Sequence, residues 1–232
     1  MHISSLDFQS KPAQGDVESV RIEPGALVIA GWAGSDSAAI EAHIRELEEI
    51  GVARPRRTPM FYRLSPSLLT LTGKMDVVGD GATGEAEVVL VNTGSGLCVG
   101  IGSDHTDRKL ETVGVTLSKQ ICAKPVGPEL WKLEDLRPHW KALVLRSQVW
   151  RNGEWQLYQE GTLASLLTPD ELLENFAEEG GRLEPGDVMF CGTVPIIGDF
   201  YFAERMALEL VDPVLGRTLR HEFSVNALEI AD

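Results

Sequence analysis

Two glutamates at the start of an apolar stretch are the first candidates for chemistry. In GEAEVVLV, Glu85 and Glu87 stand two positions apart, so the pleat of a strand would direct both carboxylates to the same face. Neighbouring anions repel unless a cation lies between them, and carboxylate-only sites favour hard ions such as Mg²⁺, Mn²⁺ or Ca²⁺. The alternative is a solvated pair on the exposed face of an edge strand.

A polar cluster follows the next apolar stretch. GIGSDHTDRKLE places Asp104, His105, Asp107 and Arg108 within five residues. Asp104 would supply a third carboxylate to the metal site, with water and substrate filling the remaining positions. A zinc cluster of Asp104, His105 and Asp107 is an alternative, although further ligands at zinc-like spacing are missing. A second alternative is an ordinary polar turn that binds no metal.

Two later segments carry groups that suit an anionic ligand. LSKQICAKPVGP contains Lys119 and Lys124, and a lysine beside a developing oxyanion would stabilise it. In LEPGDVMFCGTVP, Gly192 would let a ligand approach the backbone, and the hydroxyl of Thr193 would donate to it. The alternatives are ordinary surface lysines and a glycine at the end of a strand.

The stretch SDSAAIEAHIRELEEIG predicts a helix with an apolar stripe, capped by Ser35 or Ser37 and ended by Gly51. His43 and Glu46 lie one turn apart on it. They are either a catalytic pair or two solvated residues, and the tetrapeptide alone does not decide between these interpretations.

Short apolar stretches broken by Gly, Pro and Asn predict a strand-rich protein. WRNGEW predicts a tight hairpin, because Asn-Gly accepts positive φ angles. TPDELLENFAEEGG predicts a helix with a capping box of Thr168 and Glu171, closed by Gly180. The predicted strands lie in SVRIEPGALVIAGW, EAEVVLVNTG, LCVGIGS, ALVLRSQVWRNGEWQLYQEG, GDVMFCGTV and MALELVDPVLGRTLRHEFSV.

Composition narrows the function classes. The 232 residues carry a formal net charge of −14, which argues against nucleic acid as a partner. The start lacks the features of a secretory signal, and no apolar run approaches the roughly 18 residues of a membrane span, so we expect a cytoplasmic protein. Three scattered cysteines fit reduced, buried thiols.

Taken in order, these segments resemble the fumarylacetoacetate hydrolase family, near its small acylpyruvate hydrolase and oxaloacetate decarboxylase branch. The similarity covers roughly residues 28 to 195 and rests on the order of seven motifs. They are His43-Ile44-Arg45-Glu46, PMFYRLSPSLL, Glu85-Ala86-Glu87, Asp104 through Arg108, Ser118-Lys119-Gln120 before Gly127-Pro128, Asn152-Gly153-Glu154 with Gln159, and Gly186-Asp187 through Gly192-Thr193.

The resemblance implies a role for each matched residue. Glu85, Glu87 and Asp104 would bind Mg²⁺ or Mn²⁺, with Ca²⁺ as a further option. His43 and Glu46 would activate water, and Lys119 would stabilise an oxyanion. Three residues would contact the substrate, namely Arg108, Gln159 and Thr193.

The resemblance also implies the fold and the assembly. We expect an α+β, mostly β protein, a mixed β-roll or sandwich with a few short helices, usually a homodimer. The Pro- and Arg-rich segment GVARPRRTP predicts a connector. It would divide residues 1–55, with N-terminal strands and a mobile lid helix, from a catalytic β-roll domain of residues 56–232.

The implied function is metal-dependent hydrolysis of a small oxo acid, cleaving a C–C bond next to a carbonyl through a metal-bound enolate. Decarboxylation, hydration and tautomerisation on the same site are alternatives, as is a catalytically silent metal- or ligand-binding protein. The chain departs from the family pattern at Ile40, where a Tyr is usual, in the short connection from Glu87 to Asp104, and in Gly192-Thr193-Val194-Pro195-Ile196, which alters the pocket wall.

Overall fold

The computed structural model describes residues 4–49 and 54–231. It has seventeen β-strands and five short α-helices in these ranges, which confirms the expected mostly β class. The strands are β1 (Leu6–Ser10), β2 (Glu18–Ile22), β3 (Leu27–Gly31), β4 (Met60–Leu64), β5 (Leu69–Thr70), β6 (Lys74–Val78), β7 (Ala82–Thr83), β8 (Ala86–Asn92), β9 (Leu97–Ser103), β10 (Thr106–Asp107), β11 (Lys124–Pro125), β12 (Glu129–Lys132), β13 (Val144–Arg151), β14 (Glu154–Thr162), β15 (Val188–Phe190), β16 (Arg205–Asp212) and β17 (Arg217–Leu228). The helices are α1 (Ser37–Glu49), α2 (Arg108–Glu111), α3 (Val115–Gln120), α4 (Leu133–Leu136) and α5 (Pro169–Glu178).

Two large sheets form the body of the molecule. A mixed eight-stranded sheet has the order β2-β1-β12-β9-β8-β15-β3-β4, and a five-stranded sheet has the order β14-β13-β16-β17-β6. The strands of the first 55 residues, β1 to β3, therefore lie in the same sheet as β8, β9 and β15. No helix of the described residues is long and apolar enough to span a membrane.

The central strand β8 is apolar on both faces because each face meets a core. Val88 and Leu90 belong to the larger core, shared with the five-stranded sheet, whereas Val89 and Val91 belong to a second core on the opposite face. An uninterrupted EVVLV run is typical of a strand that is covered on both sides. The start of this strand is thus held rigidly.

Local sequence signals account for several turns. Asn152 and Gly153 both have positive φ and join Arg151 to Glu154, which confirms the predicted hairpin. Helix α5 carries the predicted capping box of Thr168 and Glu171, and Gly180 follows it with a φ of 73°.

The predicted cap of α1 was wrong. The side chain of Asp36 accepts hydrogen bonds from the amides of Ala38 and Ala39, at 2.9 and 3.2 Å. Ser35 instead donates to the carbonyl of Ala164, at 3.0 Å. Asp36 outcompetes Ser37 because its carboxylate reaches both free amides of the first turn. Gly51, the predicted end, lies outside the described residues.

Candidate functional site

The candidate site lies where three strands of the eight-stranded sheet meet at one end. Strands β8 and β9 are antiparallel and pair Ala86 with Ser103, so the start of β8 adjoins the end of β9. The end of β15 adjoins the same edge, because Phe190 pairs with Val89. This topology brings together acidic and basic residues that are distant in sequence.

Glu85 and Arg108 form an ion pair at the outer side of the site. Arg108 Nη2 lies 2.8 Å from Glu85 Oε2, and both side chains are less than a fifth exposed. Arg108 also donates from Nε to Thr83 Oγ1 at 2.7 Å and pairs with Glu111 at 3.2 Å. The guanidinium is thus held in one orientation by Thr83, Glu85 and Glu111.

Glu87 is buried, and its carboxylate accepts a hydrogen bond from the backbone amide of Gly192 at 2.9 Å. Gly192 has a φ of 90°, and a Cβ at this position would lie 2.8 Å from that of Ala33. Burial raises the pKa of Glu87 well above its ordinary value, and the negative charges of Asp104 and Glu85 raise it further. The three carboxylates therefore repel one another, as the sequence predicted for Glu85 and Glu87.

Asp104 lies at the end of β9 and is 1% exposed. One oxygen, Oδ2, accepts a hydrogen bond from Lys119 Nζ, while Oδ1 lies 3.3 Å from Lys124 Nζ. Although burial acts in the opposite direction, these two ammonium groups hold the pKa of Asp104 below its ordinary value. Burial lowers the pKa of Lys119, but Asp104 and Glu85 raise it by more, so Lys119 stays charged.

The donor chemistry of this corner fits a hard divalent cation. Asp104 Oδ1 is buried and has an ion pair with Lys124 Nζ at 3.3 Å, but no contact from the described residues meets the angles of a hydrogen bond to it. A buried carboxylate oxygen without a hydrogen bond, beside two further carboxylates, is the kind of donor that Mg²⁺ and Mn²⁺ use. As the side chains stand, however, no group of three or more Asp, Glu, His or Cys residues in ranges 4–49 and 54–231 is arranged around a metal position. The ammonium of Lys119 contacts Asp104 instead.

The zinc alternative is not supported. His105 Nδ1 hydrogen bonds with Ser103 Oγ at 2.8 Å, and burial, with the charge of Lys124, lowers the pKa of this histidine to about 3. Asp107 caps α2 by accepting from the amides of Lys109 and Leu110, at 2.9 and 3.0 Å. Both side chains therefore hold the loop that presents Asp104.

Gln159 and Thr193 form a buried hydrogen-bonded clamp beside Glu85 and Glu87. Gln159 Oε1 accepts from the Ala86 amide and from Ser147 Oγ, both at 2.8 Å, and its Nε2 donates to Thr193 Oγ1 at 2.7 Å. Thr193 Oγ1 donates to the Ala86 carbonyl at 2.6 Å. These bonds fix the start of β8 against the end of β15, and a substrate contact by either residue stays a prediction.

Helix α1 begins close to this end of the sheet. It follows β3, and Ala33, three residues before the Asp36 cap, lies next to Gly192. His43 and Glu46 are one turn apart in α1, but the side chain of His43 lies outside the described part of the structure. The catalytic pairing of His43 with Glu46 therefore stays a prediction.

The sequence named Lys124 only together with Lys119, as a lysine that could stabilise an oxyanion, and it gave Tyr62 no role. Lys124 is fully buried, and its ammonium donates to the carbonyls of His105, Lys119 and Cys122. The only local signal was a lysine between Ala and Pro in a segment of otherwise apolar residues. The other residue, Tyr62, is buried, and its ring centroid lies 5.9 Å from Lys119 Nζ.

Comparison with solved structures shows the fold. The protein Cg1458 superposes with a TM-score of 0.65 at 18% identity, covering 92% of this chain and 80% of that one. A provisionally assigned fumarylpyruvate hydrolase from Burkholderia cenocepacia gives a TM-score of 0.61 at 18% identity, with 95% of each chain covered. A 2-keto-3-deoxy-D-arabinonate dehydratase complexed with magnesium and 2,5-dioxopentanoate gives 0.65 at 14% identity, with 94% of this chain and 78% of that one covered. The expected fold of the fumarylacetoacetate hydrolase type is thereby confirmed.

Sequence comparison assigns the family but no activity. A family profile described as a protein of unknown function, DUF2848, matches residues 30–223. No curated protein sequence matches the chain significantly.

Proposed function

The chain belongs to the DUF2848 family, whose function is unknown, and from its own site we propose that it is a Mg²⁺- or Mn²⁺-dependent hydrolase of a small oxo acid, cleaving a C–C bond next to a carbonyl. One observation carries the proposal. Three carboxylates lie close to Lys119 and Arg108 at one end of the sheet, and one carboxylate oxygen there, Asp104 Oδ1, has an ion pair with Lys124 at 3.3 Å but no hydrogen bond of good geometry among the described residues. Shared fold alone would not support an activity.

Glu85, Glu87 and Asp104 would hold the metal, which supplies charge to bind and polarise a 2-oxo carboxylate. Binding would require Lys119 to leave Asp104, because its ammonium now contacts that carboxylate. The released ammonium is then free to face the substrate. The same lysine thus pairs with Asp104 in the free protein and with the substrate in the complex.

Two cationic side chains of the site, Arg108 and Lys119, act on the substrate directly. Arg108, held by Glu85, Glu111 and Thr83, orients the substrate carboxylate with its fixed guanidinium. Lys119 stabilises the negative charge that develops on the ketone oxygen as the C–C bond breaks. Because Lys119 stays charged at neutral pH, it acts as an electrostatic group and not as a base.

Water activation falls to His43, with Glu46 orienting and polarising its ring. The water would attack the carbonyl distal to the carboxylate, and the leaving carbon would depart as an enolate. Helix α1 is suited to deliver this pair, since it begins beside Gly192 at the same end of the sheet. Closure of α1 over the site would also exclude bulk water.

A lyase reaction on an oxo acid is the second candidate. One structural relative is a dehydratase that was captured with magnesium and 2,5-dioxopentanoate. Dehydration also passes through an enolate that a lysine and an arginine can stabilise. Product analysis separates the two activities, because only the hydrolase adds water across a C–C bond and releases two carboxylate or carbonyl fragments.

The experiment compares His43→Ala, Glu85→Gln and wild type on a panel of oxo acids with Mg²⁺ and Mn²⁺. We expect His43→Ala to lose turnover by about a hundredfold or more and to keep metal affinity, because general-base groups contribute about 10²–10⁴ and His43 is not a proposed ligand. Glu85→Gln should weaken metal binding first. Arg45→Gln, an exposed position on the same helix, is the matched control and should leave both properties unchanged.

Two outcomes would contradict the assignment. Loss of metal binding in His43→Ala would remove that residue from the role of base. Full Mg²⁺ affinity in Glu85→Gln would remove Glu85 from the metal site.

A further inference from the structure

Tyr158 is a buried side chain whose hydroxyl has no hydrogen-bond partner among the described residues. It lies in β14 and is 2% exposed. Its phenolic oxygen is buried and has no hydrogen-bond partner within residues 4–49 and 54–231. A buried hydroxyl without a partner is costly, so such a group calls for an explanation.

The position of Tyr158 links it to the candidate site. The next residue, Gln159, hydrogen bonds with the amide of Ala86, which stands between Glu85 and Glu87. The ring of Tyr158 packs edge-on against Tyr201, with centroids 5.5 Å apart. Phe200, adjacent to Tyr201, stacks on the guanidinium of Arg108 at 4.0 Å. The phenol of Tyr158 also interacts electrostatically with Glu85 and Arg108, which places it near that ion pair.

The charges of that ion pair act on Tyr158. Burial and the charge of Glu85, opposed by Arg108, raise the pKa of its phenol to about 12. The phenol thus keeps its proton at neutral pH and is a hydrogen-bond donor. A buried donor without a partner is suited to an acceptor on a bound ligand, and a carboxylate or oxo group is such an acceptor.

We propose that Tyr158 is a further substrate-binding residue, which donates its phenolic hydrogen to an oxygen of the oxo acid that lies beside Arg108. This inference rests on the proposed function, since it takes an oxo acid as the ligand. Arg108 and Tyr158 would then bind the ligand together, the first through charge and the second through a single directed hydrogen bond. A hydrogen bond to a charged acceptor is stronger than one between neutral groups.

The proposal predicts that removing the hydroxyl affects the ligand and not the free protein. In Tyr158→Phe we expect oxalate, used as a small mimic of a pyruvate enolate, to bind about tenfold more weakly in the presence of Mg²⁺. The melting temperature of the ligand-free variant should stay the same or rise, because an unsatisfied polar group has been removed. Calorimetric titration and thermal unfolding measure the two quantities.

Tyr201→Phe is the matched control. It removes a hydroxyl from the neighbouring ring, where the hydroxyl interacts with Arg151. We expect this variant to bind oxalate as the wild type does. A change confined to Tyr158→Phe would therefore report the hydroxyl itself and not altered packing of the two rings.

Other outcomes overturn the inference in distinguishable ways. Equal oxalate affinity in wild type and Tyr158→Phe would show that the hydroxyl does not reach the ligand, while leaving the proposed function intact. A marked loss of thermal stability in Tyr158→Phe would show that the hydroxyl stabilises the ligand-free protein, which contradicts the proposed role. Absence of oxalate binding by the wild type with either metal would overturn the proposed function and this inference with it.

Discussion

Lys119 and Lys124 are five residues apart and contact the same carboxylate, yet their surroundings differ. Lys119 is 8% exposed, and its ammonium hydrogen bonds with two side chains, Asp104 and Thr106. Lys124 is fully buried and donates to three backbone carbonyls. Lys119 can therefore exchange Asp104 for a ligand, whereas Lys124 fixes the loop that carries both Lys119 and His105.

Replacing Lys124 by Met tests this structural role. We expect a loss of about 3 kcal/mol in the free energy of unfolding, because three buried carbonyls lose their donor and Asp104 loses a neighbouring cation. Urea unfolding measures the change. Lys109→Met is the control, since Lys109 pairs with Asp80 in solvent and should contribute little. Equal stability of the two variants would refute the structural role of Lys124.

The sequence was informative about some residues of the site and silent about others. Glu85, Glu87 and Asp104 were singled out by their spacing, and Lys119 by the family resemblance, and the structure brings them together. Lys124 was named only beside Lys119, and Tyr158 received no role. The role of Lys124 depends on the carbonyl of His105, 19 residues away, as well as on two nearby carbonyls, and that of Tyr158 depends on the distant ion pair of Arg108 and Glu85.

At the scale of elements, helix α1 is the part on which the catalytic proposal depends most. Its N-terminus is held by Asp36, whose side chain accepts from two amides and whose carbonyl accepts from Ile40 at 3.0 Å. Among the described side chains of α1, Ile44 is buried and packs against the body of the protein. A short helix also depends on its N-cap for order.

Asp36→Ala should therefore impair catalysis more than binding. We expect the change to cost about 1 kcal/mol of helix stability, and turnover to fall because His43 and Glu46 are less often in place. Affinity for Mg²⁺ should not change, since the carboxylates lie on the sheet. Ser37→Ala, at the neighbouring position that does not cap, is the matched control. Identical turnover in both variants would contradict a role for α1 in catalysis.

Periodicity and turn chemistry predicted most of the longer strands, the Asn152-Gly153 hairpin and the capping box of α5, because these signals are local, whereas β1, β4, β6 and β12 were missed. The cap of α1 was assigned wrongly, since Ser35, Asp36 and Ser37 are all good N-cap residues and only the path of the chain selects one. Pairing between distant strands was beyond the sequence. The parallel pair of β3 and β15, which places Gly192 beside Ala33, joins segments about 160 residues apart.

At the scale of the whole molecule, the topology explains why the site is where it is. The ends of β9 and β15 and the start of β8 converge because β8 runs antiparallel to both neighbours. Cores on both faces of the eight-stranded sheet keep that edge rigid. The acidic chain, with a net charge of −14, concentrates Lys119, Lys124 and Arg108 at this one edge, where they offset the carboxylates. The expected homodimer stays a prediction.

The most direct test of the central claim is calorimetric titration of the chelator-stripped protein with oxalate, in the presence and absence of Mg²⁺ or Mn²⁺. The account predicts that oxalate binds only when the metal is present. It also predicts that Glu87→Gln, which removes a proposed metal ligand, abolishes this metal-dependent binding of oxalate. Oxalate binding of equal strength without metal would show that Lys119 and Arg108 alone form the site. No metal binding at millimolar concentration would contradict the proposed metal-dependent reaction.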